Sequence, residues 1–408
     1  MGNALYLYIG TWGSREQEGD GKGVYGCRMD TSTGELSPAG LLSDVDEPGV
    51  VAVSPDRRTL YTVNEMTRFP DGQAGSGGGV SALRIDPETG ALSLLGQVSS
   101  LGTLPAFLCT DPAGEYVLCA DHSTFQVVSR YVRGEDGKYH CERSYDASGV
   151  ALFKVQPDGG LSQGCDFAEI REPGSAWAYE KDPSKFVHEF SGLPIDSPTF
   201  LQDHPHAHSV NVDPYGLVYV CDRGSDSVIL MEIDRQNDRL RTVFSYHTRL
   251  GTGPRHLALH PEKPYFYITS EIESSVTVFA VDRKAKTFRE LQTVPTLPEG
   301  CKEKNGPSDI HVHPSGRFVY AGNRGYDSIA VYAVHEETGL LSPVEVFELG
   351  KPEPRGFAID PSGQFLVVGH RKAGEVESYR ISQETGKLSR TGFTTSVPSP
   401  CCIRFCPI

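Results

Sequence analysis

Short apolar runs alternate with polar turns along this chain, and one arrangement of them occurs six times. An apolar run leads into Ser-Pro, Asp-Pro or His-Pro, a short turn follows, and a second run rich in aromatic residues ends in polar residues. The turn prolines of the six copies are Pro55, Pro112, Pro214, Pro261, Pro314 and Pro361. Because proline fixes φ and cannot continue a central strand, each copy predicts a β-hairpin.

The spacing of the copies indicates how the hairpins are assembled. The last four prolines lie about 50 residues apart, near the roughly 40–50 residues of a four-stranded propeller blade. Two more strand-like runs follow each hairpin, and no helical period is present. Residues 5–10 look like a second strand without a first, and residues 400–405 look like a first strand without a second. Paired, they would close a ring, so we predict an all-β, seven-bladed β-propeller.

We expect one domain that covers residues 1–408. The interval from Pro112 to Pro214 is about twice the length of a blade, and no further hairpin of the repeated type lies within it. Stretches rich in Gly, Pro and charged residues predict surface excursions near residues 67–79, 130–148 and 169–203.

Composition excludes several classes of partner. The net charge of −15 disfavours binding to nucleic acid or to an anionic membrane, and no apolar run approaches the roughly 20 residues of a spanning helix. The chain has ten cysteines, no CxxC spacing and no export signal at its N-terminus. We therefore expect reduced thiols and a cytoplasmic protein.

Two columns of residues should meet at one mouth of the propeller channel, because the first strand of each blade starts there and the second ends there. The residues entering the first strands are Pro48, Pro105, His208, Arg255, Ser308, Arg355 and Pro400. The residues leaving the second strands are Trp12, Glu65, His122, Arg223, Glu271, Arg324 and Arg371.

The chemistry of these columns predicts an anion-binding catalytic site. Five arginines fall among the fourteen positions of a strongly acidic protein, and arginine suits planar capture of a carboxylate or phosphate. Imidazoles and carboxyls at the same mouth would perturb one another's pKa values. His206 lies two residues outside the mouth. The alternative is that these residues only hydrogen-bond neighbouring blades.

A metal site is weakly supported by the sequence. His206 and His208 would face one way on a strand, but a third ligand is missing and nearby arginines would repel a cation. We predict neither a metal nor a cofactor.

Several segments resemble the seven-bladed propeller lactonase family, which includes 6-phosphogluconolactonases and carboxymuconate lactonizing enzymes. They are residues 205–210 (PHAHSV), 253–258 (GPRHLA), 276–279 (VTVF) and 354–360 (PRGFAID), together with the opening residues 8–12 (YIGTW). The resemblance implies a propeller and a site composed of one histidine, two arginines and one glutamate. These fall on His208, Arg255, Glu271 and Arg324.

From these residues we expect a lactone hydrolase that acts on a small anionic sugar lactone. Glu271 would be the general base, His208 the acid, and Arg255 and Arg324 would stabilise charge. The expected substrate-binding residues are His206, Arg223, Arg355, Arg371, Glu65 and His122. Two alternatives remain: a cycloisomerase that closes a dicarboxylate into a lactone, and a non-catalytic propeller scaffold.

Overall fold

The structure, a computed structural model, describes residues 4–13, 16–69, 77–126, 128–176, 182, 188–190 and 202–407. Thirty β-strands lie in these residues. In chain order they are β1 (Ala4–Thr11), β2 (Val24–Asp30), β3 (Gly40–Ser43), β4 (Val51–Val53), β5 (Thr59–Asn64), β6 (Gly79–Ile85), β7 (Leu92–Ser99), β8 (Pro105–Thr110), β9 (Tyr116–Asp121), β10 (Val128–Arg133), β11 (Tyr139–Ser144), β12 (Gly149–Lys154), β13 (Asp166–Glu169), β14 (Ala207–Val212), β15 (Leu217–Asp222), β16 (Ser227–Asp234), β17 (Arg239–His247), β18 (Pro254–Leu259), β19 (Tyr265–Ser270), β20 (Ser275–Asp282), β21 (Thr287–Pro295), β22 (Gly306–Val312), β23 (Phe318–Arg324), β24 (Ser328–Val334), β25 (Leu341–Glu348), β26 (Pro354–Ile359), β27 (Phe365–His370), β28 (Glu375–Ile381), β29 (Leu388–Ser396) and β30 (Pro400–Cys406).

Seven four-stranded antiparallel sheets in the described chain are the seven predicted blades. Blade one has the order β4-β5-β6-β7, and blades three to six repeat it from β14, β18, β22 and β26. Blade two is β8-β9-β12-β13, and blade seven is β30-β1-β2-β3. In blade seven, β1 pairs with β30 from Tyr6 opposite Cys406 to Thr11 opposite Pro400. The predicted fold and its closure by the two chain ends are therefore confirmed.

The predicted excursions fall only partly within the described residues. Strands β10 and β11 form a separate hairpin between the second and third strands of blade two, in the region of the excursion expected at 130–148. Residues 70–76 and most of 169–203 lie outside the described residues. One domain over residues 1–408 stays a prediction. Within the described chain, no helix has the length and apolar character needed to cross a membrane.

The residue before each turn proline closes the hairpin with its side chain. Asp111 Oδ1 accepts a hydrogen bond from the backbone N–H of Tyr116 at 2.8 Å, and Asp213 Oδ1 accepts one from Leu217 at 2.9 Å. Nδ1 of His260 accepts the N–H of Lys263 at 3.0 Å. Short acceptors that bond nearby backbone donors favour turns, which explains the repeated Ser/Asp/His-Pro pairs.

Buried tyrosines join neighbouring blades. The hydroxyl of Tyr320 in blade five donates to the carbonyl oxygen of Gly386 in blade six at 2.7 Å. Gly386 has a φ of +75° and lies against the ring of Phe318. The same type of bond runs from Tyr8 to Gly90, from Tyr61 to Gly159 and from Tyr267 to Gly339. Each of these joints ties the second strand of one blade to the turn before the outermost strand of the next blade.

Candidate active site

Six of the seven inner strands carry a register shift close to one mouth of the channel. In β18, for example, Pro254 pairs with Ser270 but the next paired residue is Leu257. A bulge of this kind leaves residues unpaired and turns their side chains. The residues freed in this way are Ala106, His208, Arg255, His256, Ser308, Asp309, Arg355 and Cys401. Bulges therefore position four of the seven residues of the predicted inner column, namely His208, Arg255, Ser308 and Arg355.

Glu271 gathers three arginines from three blades. Its Oε2 lies 2.8 Å from Nη1 of Arg223 and 3.6 Å from Nε of Arg255, and its Oε1 accepts a hydrogen bond from Nη2 of Arg324. Burial by itself would raise the pKa of Glu271, but the three guanidinium charges outweigh it and hold that pKa well below its ordinary value. Glu271 is therefore a permanent anion that holds the three arginines together.

A row of imidazoles continues the cluster. Nη2 of Arg223 donates to Nε2 of His122 at 2.7 Å, and Nδ1 of His122 donates to the carbonyl oxygen of Ser123 at 2.9 Å. Burial, followed by the charge of Arg223, lowers the pKa of His122 well below its usual range. The ring of His208 meets that of His122 edge-on, with 5.5 Å between centroids.

His208 is a neutral imidazole with an unused nitrogen. Burial, and after it the charge of Arg255, lowers the pKa of His208 well below its ordinary value. Its Nδ1 is buried and has no hydrogen-bond partner among the described residues. An unpaired buried polar atom costs about 1–3 kcal/mol, so a water or substrate oxygen is expected beside it.

A second group of mouth residues surrounds Trp12. Nε1 of Trp12 donates to Oε2 of Glu65 at 2.7 Å, and the guanidinium of Arg355 lies over the indole ring, 3.6 Å from its centroid. Arg371 lies 5.1 Å from the same centroid and is paired with Glu353 through Nη2 and Oε2 at 2.8 Å. The charge of Arg371 is therefore largely compensated, whereas Arg355 remains a cation of the mouth.

A cavity of about 1180 Å³ opens beside Glu271 and Arg324. It continues past Lys302, Lys304 and Lys372 and is bounded by Phe190, among other residues. Residues 188–190, a short described part of the long excursion after blade two, lie beside blade four, where the backbone N–H of Glu189 donates to Oε1 of Glu273 at 2.6 Å. The cavity gives access to Glu271 and Arg324, whereas His208 and Arg255 do not line it.

The structure places the side chain of His206 behind the ring of His122. This residue is fully buried, and its Nδ1 lies 2.9 Å from the carbonyl oxygen of His122 while its Nε2 lies 3.1 Å from Oδ1 of Asp203. The ring stacks on that of His122 with 4.5 Å between centroids. Both nitrogens are used and the side chain has no exposed surface, so His206 supports the ring of His122, and its role in binding substrate stays a prediction.

His206 belongs to a cluster that the sequence did not reveal. Potential ligand atoms of Asp203, His204 and His206 lie within 4.8 Å of one another, whereas the expected partner His208 is not part of this group. Oδ1 of Asp203 lies 2.8 Å from Nδ1 of His204, and Ser123 bonds both rings. These groups satisfy one another by hydrogen bonds, and the absence of a metal stays a prediction.

The sequence also failed to indicate a charged group lower in the channel. Oδ1 of Asp309 lies 2.9 Å from Nδ1 of His256, and its Oδ2 lies 3.1 Å from Nε2 of His311. The ring of His256 is 5.2 Å from that of His208. The repeated His-x-His and Asp-x-His pairs on first strands were the available signal, but the bulge that turns His256 beside Arg255 is not visible in the sequence.

Comparisons with known proteins agree with this architecture. Residues 6–405 match the model of the family described as "Lactonase, 7-bladed beta-propeller". A 6-phosphogluconolactonase of Bacillus subtilis is 30% identical over 400 residues, which are 98% of this chain and 97% of that protein. The structure of a periplasmic gluconolactonase of Pseudomonas aeruginosa aligns with a TM-score of 0.79 at 26% identity and covers 99% of both chains. A Lactobacillus plantarum protein aligns with a TM-score of 0.79 at 25% identity, over 99% of this chain and 100% of its own. The chain therefore belongs to the lactonase family of seven-bladed β-propellers.

Proposed function

We propose that this protein hydrolyses an anionic sugar lactone, the type of substrate for which its Bacillus subtilis relative is named. The observation that carries the proposal is the cluster on Glu271, where three guanidinium groups from three blades meet beside the unpartnered Nδ1 of His208. Lactone hydrolysis requires an activated water and a cationic environment for the oxyanion, and this cluster offers both.

The protonation states revise the roles expected from the sequence. At neutral pH His208 is uncharged, because burial and neighbouring cations lower its pKa, so it can accept a proton from water but has none to donate as an acid. Both oxygens of Glu271 are engaged by arginines and neither is free to take a proton from water, whereas Nδ1 of His208 has no partner among the described residues. We therefore propose that His208 is the general base and that Glu271 holds Arg223, Arg255 and Arg324 in position.

The excess of positive charge at the mouth favours the binding of an anionic substrate. Five guanidinium groups lie at the mouth: Glu271 contacts three of them, Glu353 pairs with Arg371, and Arg355 is stacked on Trp12 with no carboxylate bonded to it in the described chain. Arg255 and Arg324 would stabilise the tetrahedral oxyanion, and Arg355 would hold the carboxylate or phosphate of the substrate.

The test compares initial rates on 6-phospho-δ-gluconolactone, δ-gluconolactone and 3-carboxy-cis,cis-muconate. We expect hydrolysis of both lactones, with kcat/KM at least about tenfold higher for the phosphorylated one, which corresponds to about 1.4 kcal/mol of extra binding in the transition state. Arg324→Gln should lower kcat/KM at least about 100-fold.

The matched control is Arg317→Gln, which removes an arginine from a hairpin turn at the opposite end of blade five, where it bonds only backbone carbonyls of the neighbouring blade. Its rates should equal those of the wild type. Closure of the muconate at a higher kcat/KM than lactone hydrolysis would assign the site to a cycloisomerase. Full activity of Arg324→Gln would overturn the proposed site.

A further inference from the structure

Glu65 is held in a fixed position at the same mouth as Glu271. It follows β5 in blade one, and its Oε2 accepts the indole N–H of Trp12 across the joint with blade seven at 2.7 Å. Gly49 packs so closely on this carboxyl that a Cβ atom at that position would lie 2.3 Å from Oε2. The carboxyl group is therefore wedged between a glycine backbone and an indole.

The charged surroundings of Glu65 come from four other parts of the ring. Arg355 of blade six and Arg255 of blade four favour the ionised carboxylate, whereas Glu47 disfavours it, and the Cys401 thiol of blade seven is also within electrostatic reach. Burial is the largest influence and outweighs the two cations, so it raises the pKa of Glu65 to about 7. The proton on this carboxyl is thus exchangeable at neutral pH.

One oxygen of Glu65 remains available. Trp12 occupies Oε2, while Oε1 receives no hydrogen bond from any residue that the structure describes and is not a buried atom. The residue as a whole keeps partial exposure at the mouth. A carboxylic acid that is anchored through one oxygen and open at the other can present its proton to a ligand.

The two carboxyls of the mouth differ in what they can do. Glu271 is locked as an anion by three arginines, and His208 is neutral, so neither supplies a proton at neutral pH. An acid that serves beside His208 as the base must therefore be a third group that holds a proton near neutral pH. Of these three residues Glu65 is the one whose surroundings favour the protonated form, and its second oxygen is open at the mouth.

We propose that Glu65 is a second catalytic carboxyl, which donates its proton to the ring oxygen of the lactone as the acyl C–O bond breaks. The proposal rests on the proposed lactone hydrolysis. The oxygen of water bonds to the carbonyl carbon and its proton passes to His208; the C–O bond to the ring oxygen then breaks, and the proton of Glu65 moves to that oxygen. His208 returns a proton through solvent to Glu65, which restores the enzyme.

The experiment compares two lactones whose leaving groups differ in their need for a proton, which distinguishes proton donation by Glu65 from a structural role. In δ-gluconolactone the ring oxygen leaves as an alkoxide and needs a proton, whereas in dihydrocoumarin it leaves as a phenolate and does not. Glu65→Gln keeps an acceptor for Trp12 but removes the acid. We expect kcat for δ-gluconolactone to fall at least about 100-fold and kcat for dihydrocoumarin to fall less than about tenfold.

A second measurement uses the wild type and does not depend on how a variant folds. For δ-gluconolactone, kcat/KM should decline as the pH rises through about 7, the pKa of Glu65, and for dihydrocoumarin this decline should be absent. Glu232→Gln is the control, since this carboxylate is paired with Arg241 and Lys286 at the other end of blade three. It should change neither rate.

The outcomes separate this inference from the function on which it rests. Two results would overturn the role of Glu65 and leave lactone hydrolysis intact. One is an equal loss of kcat on both substrates in Glu65→Gln. The other is a wild-type kcat/KM for δ-gluconolactone that does not decline as the pH rises through about 7. A wild-type protein that hydrolyses neither lactone would overturn both.

Discussion

Nδ1 of His256 lies 2.9 Å from Oδ1 of Asp309, and the ring of His256 lies 5.2 Å from that of His208. Burial alone would raise the pKa of Asp309, but the charges and hydrogen bonds of His311 and His256 hold it well below its ordinary value. The pair lies directly behind Arg255 and His208, so it supports the floor of the candidate site.

Asp309→Asn should weaken this floor, because an amide oxygen can serve one imidazole while its NH₂ group faces the other. We expect the free energy of unfolding to fall by about 1–3 kcal/mol, measured by urea denaturation. Asp136→Asn is the matched control, since Asp136 and His140 form an exposed pair at 3.0 Å. Its cost should stay below about 0.5 kcal/mol. Equal costs at the two sites would contradict the role given to Asp309.

Glu271→Gln tests whether this residue is a base or an anchor. Loss of the anion leaves three guanidinium groups to repel one another, so kcat should fall at least about 100-fold. The affinity for the anionic product 6-phosphogluconate, measured by calorimetry, should stay the same or increase because the site becomes more positive. The shape of the pH profile should not change, since the pKa of Glu271 is well below the working range. If the decline of kcat at low pH disappears in Glu271→Gln, Glu271 is the general base after all.

Glu65 should also couple stability to pH. Between the ordinary value of 4.5 and about 7, the folded protein keeps on Glu65 a proton that the unfolded chain has released. The wild type therefore loses stability as the pH rises through this window, and Glu65→Gln does not. The difference in urea midpoint, variant minus wild type, should grow from about pH 5 to about pH 8. A constant difference would mean that the pKa of Glu65 is not raised in the folded state.

The blade joints make a separate prediction about stability. Tyr320→Phe removes the hydroxyl that bonds Gly386 and keeps the buried ring, so the free energy of unfolding should fall by about 1 kcal/mol. Tyr215→Phe removes the hydroxyl of a tyrosine that is 69% exposed and should have no measurable effect. Thermal denaturation of both variants gives the comparison, and a loss at Tyr215 as large as that at Tyr320 would refute the joint.

A comparison of two glycines distinguishes the free-energy cost of a left-handed backbone from the cost of steric overlap. Gly386 and Gly392 have φ angles of +75° and +85°, but a Cβ at Gly386 would lie 2.5 Å from the ring of Phe318, whereas one at Gly392 would meet nothing within 4 Å. Gly392→Ala should cost about 1–2 kcal/mol for the left-handed conformation alone. Gly386→Ala should cost at least about 1 kcal/mol more, measured by urea denaturation. Equal losses would show that the ring yields freely.

Much of this architecture follows from the sequence because its causes are local and repeated. Proline after Ser, Asp or His marks the turn between the first two strands of six blades, as Asp111 and Asp213 illustrate by closing theirs through short side-chain bonds. The incomplete strands at the two ends predict the closure that Tyr6 and Cys406 form. Strand order also places Arg223, Glu271 and Arg324 at one mouth, since strand ends of successive blades meet there.

The tertiary structure alone decided what these residues do. The bulges that turn His208 and Arg255 depend on pairing with the second strand, and a register shift leaves no mark in a single sequence. Protonation depends on burial and on charges brought from distant blades, so Glu271 and Glu65 acquire opposite pKa shifts although they occupy equivalent places in the repeat. The repeat determines where these residues lie, but their protonation states depend on neighbours that meet only when the ring closes.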